Sequence, residues 1–153
     1  MSTSRRIRVS AIDTVEVLTE PPAPIGPGLV RVRSVTVGVC GSDTHAIRGR
    51  HPLVPPPYFP GHEATGVVTE LGPDVTGVAV GDRVVVEPTL PCWTCKQCAQ
   101  GQENLCENLQ FFGCGFEQGG MAEEFVVRAD LLHQIPDDLD DTSASLIDPL
   151  STP

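Results

Sequence analysis

Cys92, Cys95, Cys98 and Cys106 form a C-x2-C-x2-C-x7-C pattern, a spacing that lets four sulfurs turn toward one point. Zinc takes a tetrahedron of thiolates at about 2.3 Å, and four of them close its coordination, leaving no position for water or substrate. The site predicted there is structural. Its metal supplies folding energy to a lobe, residues 91–107, that carries few apolar residues of its own. A disulfide pair or free thiols are the competing readings. An iron–sulfur cluster is a lesser one, which neither the spacing nor the residue after Cys106 supports. Cys114 falls outside the pattern and reads as a small buried hydrophobe.

A second set of donors is spread along the chain. Cys40 lies in Val39-Cys40-Gly41-Ser42-Asp43, and His62 in Pro60-Gly61-His62-Glu63. A single Cys is usually core, and a single His is usually satisfied by hydrogen bonds. The pair gains meaning from the flanking glycines, which permit tight turns that aim side chains into a common space. Glu63 and the late Asp148 add oxygen ligands to the list. A Cys/His/carboxylate shell with one open position is the pattern of a catalytic zinc.

The elements that must position these groups read as mainly β with short helices. The chain has 153 residues, 15 of them Gly and 15 Pro, with short Val-rich runs between. Ile7–Val9 and Val15–Leu18 read as strands around an Asp13-Thr14 turn. In Leu29–Val39 the apolar positions pass from Val30 and Val32 to Val35, Val37 and Val39, a change of phase that predicts a β-bulge after Ser34. Cys40–Gly49 suits a short helix capped by Ser42 or Asp43. The proline-rich Pro52–Pro60 is an extended loop beside the site. Gly66–Leu71, Arg83–Glu87, Met121–Arg128 and Leu131–Ile135 are further strands, and Asp140–Ile147 a short helix. Asp148-Pro149 reads as the start of another helix, with the carboxylate as its cap. Its position four residues from the last predicts a fragment of a longer polypeptide.

Charge narrows the partners. The formal net charge is −10, which argues against nucleic acid and anionic membranes. After Gly101 eleven carboxylates face Arg128 alone, read as a solvated acidic face. No run approaches the about 18 apolar residues of a membrane span. Met1–Arg8 has no apolar stretch of signal-peptide length. A cytoplasmic location follows as the expectation, and cysteines there are ligands more often than disulfides.

The segments Gly38–His45, Gly61–Val68 and Gly81–Val84, the four-cysteine lobe and Gly119–Phe125 together resemble the zinc-dependent medium-chain alcohol dehydrogenases, most closely the polyol, sorbitol and threonine dehydrogenase branch. The resemblance covers nearly the whole chain. It implies a GroES-like, partly open β-barrel across residues 1–153, normally followed by a Rossmann domain. It also implies that Cys40 and His62 bind a catalytic zinc, with Glu63 as a ligand or an exchanging carboxylate behind it. Asp148 stands where relatives place a Glu-Pro, a Cys or an Asp. The substrate implied is a small alcohol or polyol whose hydroxyl the zinc activates, with hydride passing to NAD or NADP. In that scheme Ser42 accepts the proton and His45 passes it to solvent; the local alternative is that Ser42 caps a helix and His45 is merely exposed. Asp43 orients His62 or caps backbone amides.

A dinucleotide fold needs a Gly-rich turn between strand and helix. Residues 113–119, Gly-Cys-Gly-Phe-Glu-Gln-Gly, lack that spacing, so no cofactor-binding residue is assigned. Zinc binding without turnover by the chain itself is the expectation, with any homo-oligomer formed through a further domain. Two other classes compete: a stand-alone zinc- or partner-binding module, and a co-chaperonin, which has no use for a four-cysteine lobe.

Overall fold

The computed structural model describes residues 3–151, and its strands follow the alternation of the sequence. A hairpin of β1 (Ser4–Ala11) and β2 (Thr14–Glu20) opens the chain. Its turn lies at Ile12-Asp13, one residue earlier than expected, with Asp13 at φ 56°. The main sheet holds β3 (Leu29–Val37), β4 (Ala64–Leu71), β5 (Arg83–Val86), β8 (Glu124–Arg128) and β9 (Leu132–Gln134), in the antiparallel order β8-β3-β4-β5-β9. A short pair, β6 (Thr89–Leu90) and β7 (Gln110–Phe111), stands apart. Met121–Glu123, expected to be strand, instead bridges to the hairpin: Ile7 N donates to the Met121 carbonyl at 2.9 Å and Glu123 N to that of Arg5 at 2.9 Å. The sheets stay open; no closed barrel forms among the described residues.

One face of the sheet is the core. Val30, Val32, Ala64, Val68, Val84, Val86, Phe125 and Val127 meet there, with Phe112 and Leu132. Each such side chain contributes roughly 1.5–3 kcal/mol by leaving water. The run Val84-Val85-Val86 is apolar throughout because β5 is buried on both faces: Val85 turns away from the main core to pack with Ile135 and Ala144.

The bulge after Ser34 is present. Ser34 pairs with Gly66 and Thr36 with Thr65, leaving Val35 as the extra residue, 41% exposed. Of the shifted apolar set only Val37 packs on the core, whereas Val39 is exposed. A second slip lies between Arg31 and Val32, with Thr69 of β4 as the extra residue.

Among the described residues four short α-helices complete the fold: α1 (Gly41–Ile47), α2 (Lys96–Ala99), α3 (Asp141–Ala144) and α4 (Ile147–Ser151). Asp140 caps α3 by accepting from Ser143 N at 2.9 Å. The expected single helix to Ile147 breaks after Ala144, where Ser145 Oγ donates to the Thr142 carbonyl at 2.7 Å and competes with the ladder. The chain then restarts as α4 one residue before Asp148. The Leu146 carbonyl takes the first bond, from Leu150 N at 2.9 Å, so Asp148 is in the first turn and is not the cap. Pro149 follows it there, where a missing N–H costs nothing. Among the described residues no helix is long and apolar enough to cross a membrane.

Candidate metal centres

The lobe leaves the body through β6 and returns through β7. Within it one thiol atom from each of Cys92, Cys95, Cys98 and Cys106 lies within 4.8 Å of the others. A tetrahedron with about 2.3 Å arms has sulfur–sulfur edges of about 3.8 Å. Cys95 Sγ stands 3.5 Å from Cys98 Sγ and 4.0 Å from Cys106 Sγ, which straddles that edge. All six cysteines are unbridged. Hydrogen bonds from the Thr94 hydroxyl and from the Thr94 and Cys95 amides draw the Cys92 thiol down to about 5, so it is a thiolate near neutrality. Burial, then the neighbouring Cys95 and Cys106, push Cys98 up to about 12. Several sulfurs this close, some poised as anions and one resisting ionisation, suit a soft divalent cation.

The lobe is pinned to the sheet at the end of β8. Trp93 Nε1 donates to Asp130 Oδ2 at 3.0 Å, and Arg128 Nη1 donates to the Pro91 carbonyl at 2.8 Å. Arg128 also pairs with Asp130, and its guanidinium lies 5.9 Å from the Trp93 ring centre.

The second centre is assembled from the strand ends. Cys40 follows β3 and is the N-cap of α1, where Ser42 or Asp43 was expected. Asp43 acts from the third helical position, its Oδ2 accepting from Cys40 N at 3.0 Å. This bond fixes the backbone that carries the thiol. His62 and Glu63 precede β4 on a turn that needs Gly61 at φ 100°. One donor atom from each of Cys40, His62 and Glu63 lies within 4.8 Å of the others. His62 and Glu63 are both buried.

The surroundings constrain each donor. His62 Nδ1 is buried without a hydrogen-bond partner among the described residues. It lies 3.9 Å from Asp43 Oδ1, beyond hydrogen-bond reach, and Asp43 is itself 2% exposed. Burial raises the Asp43 carboxyl above the usual range, partly offset by the His62 charge. The Phe111 ring stands edge-on to His62 at 5.6 Å. Glu63 rests against Gly38, where a Cβ would overlap Oε2 and meet the Glu63 Cβ at 3.0 Å. Gly38 N also donates to the Glu63 carbonyl at 2.9 Å. The roles of Gly38 and Phe111 were not read from the sequence; their only signal is adjacency to Cys40 and to the return of the lobe.

The remaining candidates are not in this trio. Asp148 lines a cavity of about 320 Å3 with Val86, Pro88, Thr89 and His133. Burial raises its carboxyl, and the charge of His62 acts on it in the opposite sense. Ser42 is half-buried and His45 exposed, three positions apart on α1. Cys114 is partly buried against Val9, Ala46, Val54 and Tyr58, in keeping with a small hydrophobe.

Residues 26–137 match the alcohol dehydrogenase GroES-like domain. The chain belongs to that family. This GroES-like domain is 38% identical over 130 residues to a sorbitol dehydrogenase of Arabidopsis thaliana, covering 83% of the chain and 36% of that protein. It is 44% identical over 115 residues to a D-altritol 5-dehydrogenase of Agrobacterium fabrum, covering 75% and 34%. Among solved structures, an alcohol dehydrogenase of Escherichia coli complexed with NADH superposes with a TM-score of 0.89 at 32% identity, over 99% of this chain and 44% of that one. The domain therefore spans well under half the length of these relatives. The resemblance read from the motifs, to zinc-dependent medium-chain polyol dehydrogenases, agrees with these relatives.

Proposed function

We propose that this chain is the zinc-carrying catalytic domain of an alcohol or polyol dehydrogenase that uses NAD or NADP. The observation that carries the reading is the convergence of Cys40 with His62 and Glu63, from two separate segments, together with a buried His62 Nδ1 that has no hydrogen-bond partner among the described residues. Zinc at this centre supplies a Lewis acid that lowers the pKa of a substrate hydroxyl, or polarises the carbonyl in the reverse direction. Cys40 and His62 hold it. Glu63, seated over Gly38, and Asp148, whose carboxyl feels the charge of His62, are the carboxylates available to complete or exchange in the shell. Asp43 orients His62. Ser42 takes the proton from the substrate, and His45, exposed on the same helix face, hands it to water. The lobe holds a second zinc with a structural role. A cytoplasmic setting fits this reading, since cysteines there serve as ligands more often than as disulfides.

Zinc counting on the purified protein tests this. The wild type is expected to carry two ions. Cys40→Ser is expected to lose one and keep its fold, and Cys95→Ser to lose the other together with the order of the lobe. If both variants lose the same ion, the two-centre reading fails.

A further inference from the structure

We infer that Phe111 and Gly113, on the return from the lobe, are positioning residues that seat His62 in the Cys40–His62–Glu63 centre, the first against its ring and the second against its backbone. The inference rests on the reading of that trio as a zinc site.

A histidine that binds metal is ordinarily oriented by a hydrogen bond from its other ring nitrogen. His62 Nδ1 is buried with no such partner among the described residues, and it stands 3.9 Å from Asp43 Oδ1. The direction of the ring therefore falls to packing and to the backbone that carries it. Phe111 meets the ring edge-on, with centroids 5.6 Å apart and planes 67° apart.

Gly113 acts two residues further on. Its φ is 70°, in the left-handed region that favours glycine. A Cβ there would overlap the Gly61 carbonyl carbon, and would lie 2.5 Å from the Gly61 carbonyl oxygen and 2.6 Å from His62 N. The bare backbone of Gly113 thus rests directly on the Gly61–His62 peptide. Gly120 N donates to the Gly61 carbonyl at 2.7 Å and Met121 N to that of Pro60 at 3.2 Å, so the turn has little room to yield.

The seat is itself anchored. Phe112, between the two residues, is fully buried in the main core, its ring centre 5.0 Å from that of Phe125. Phe112 N donates to the Pro88 carbonyl at 2.8 Å, and Gly113 N to that of Gln118 at 3.0 Å. The core holds this segment, and the segment holds His62. A methyl at position 113 would displace the peptide, and the imidazole with it, from its place beside the Cys40 and Glu63 donors.

Gly113→Ala, Phe111→Leu and Gly115→Ala, each in the whole chain, test the assignment. Gly115 is the control: its φ is 87° and a Cβ there would meet nothing within 4 Å, so alanine brings backbone strain without the collision. Zinc affinity of each centre is read by competition with a chelator, and the geometry of the Cys40 centre by the visible spectrum of Co2+ bound there. Gly113→Ala is expected to weaken the Cys40 centre by about tenfold or more, as for groups that orient metal ligands, and to shift its Co2+ bands. Phe111→Leu should shift the bands with a smaller loss of affinity. The four-sulfur centre should be unchanged in both. Gly115→Ala should lower the melting temperature and leave affinities and bands as they were. Should Gly113→Ala fail to fold, Phe111→Leu decides alone. Wild-type affinity and bands in Gly113→Ala or in Phe111→Leu, or an equal affinity loss in Gly115→Ala, overturn the assignment alone. A wild type that binds only the lobe ion overturns it together with the underlying reading.

Discussion

The four sulfurs of the lobe come from residues 92–106, on a segment held mainly by short turns and by its clasp to β8, whereas Cys40, His62 and Glu63 are delivered by the ends of sheet strands and α1. Of the lobe's side chains Pro91, Cys98 and Cys106 are buried, while Trp93 and Leu105 are exposed. The segments that carry the trio instead run directly into Val37 and Ala64 of the main core. On the proposed reading, a metal in the first case would organise the chain. In the second the chain is organised already, by packing and by the Asp43–Cys40 bond, and a metal would arrive at a prepared place. A structural site can be built from local spacing alone, while a reactive one needs a scaffold that holds its donors in place.

Removing metal with a strong chelator should show this difference at its largest. Structural zinc in zinc-finger peptides contributes about 10–16 kcal/mol, so a zinc-held lobe should lose hydrogen-exchange protection throughout and Trp93 emission should move to longer wavelength. The amides of β3, β4 and β5 should keep theirs. Uniform loss of protection across the sheet would break the comparison.

Gly38→Ala gives the next largest effect and acts on the other side. The added methyl drives Glu63 from its seat, at about 1–3 kcal/mol for an overpacked position. Zinc at the Cys40 centre should be lost while the lobe ion stays. Retention of both ions at unchanged stability would remove Gly38 from the argument.

The smallest effect sharpens the boundary between the regions. Arg128, and then Trp93, hold the Asp130 carboxyl below the usual range against the opposing effect of burial. Because its folded value lies below the unfolded one, the stabilisation is complete above about pH 4 and fades as pH falls through the depressed value. For a largely exposed pair it amounts to less than about 1 kcal/mol. Acid titration of Trp93 fluorescence should show an added low-pH step that Asp130→Asn lacks.

What could be read beforehand follows the same division. The clustering in the lobe was legible because its four cysteines are neighbours in sequence. Cys40 and His62 gained meaning from the motifs around them, since neither residue alone differs from a core Cys or a buried His. The bulge at Val35 left a change of phase on its own strand; the one at Thr69 left none on β3, because the extra residue sits on the partner. The cap of α1 was misplaced because Cys40 looks like a ligand and not like a capping residue. Gly38 against Glu63 joins positions whose relation exists only once the strands have paired.

The stem formed by β6 and β7 has a further consequence. Thr89 pairs with Phe111 and Leu90 with Gln110, so the backbone departs and comes back at adjacent points. Everything between is a detour that no other strand of the sheet crosses. Lengthening, shortening or replacing it by a tight hairpin connection adds only a slowly growing closure entropy, and it leaves the register of the five-stranded sheet untouched. The excursion can therefore change its length without disturbing strand register, provided the clasp of Pro91 and Trp93 to Arg128 and Asp130 is kept or replaced with it.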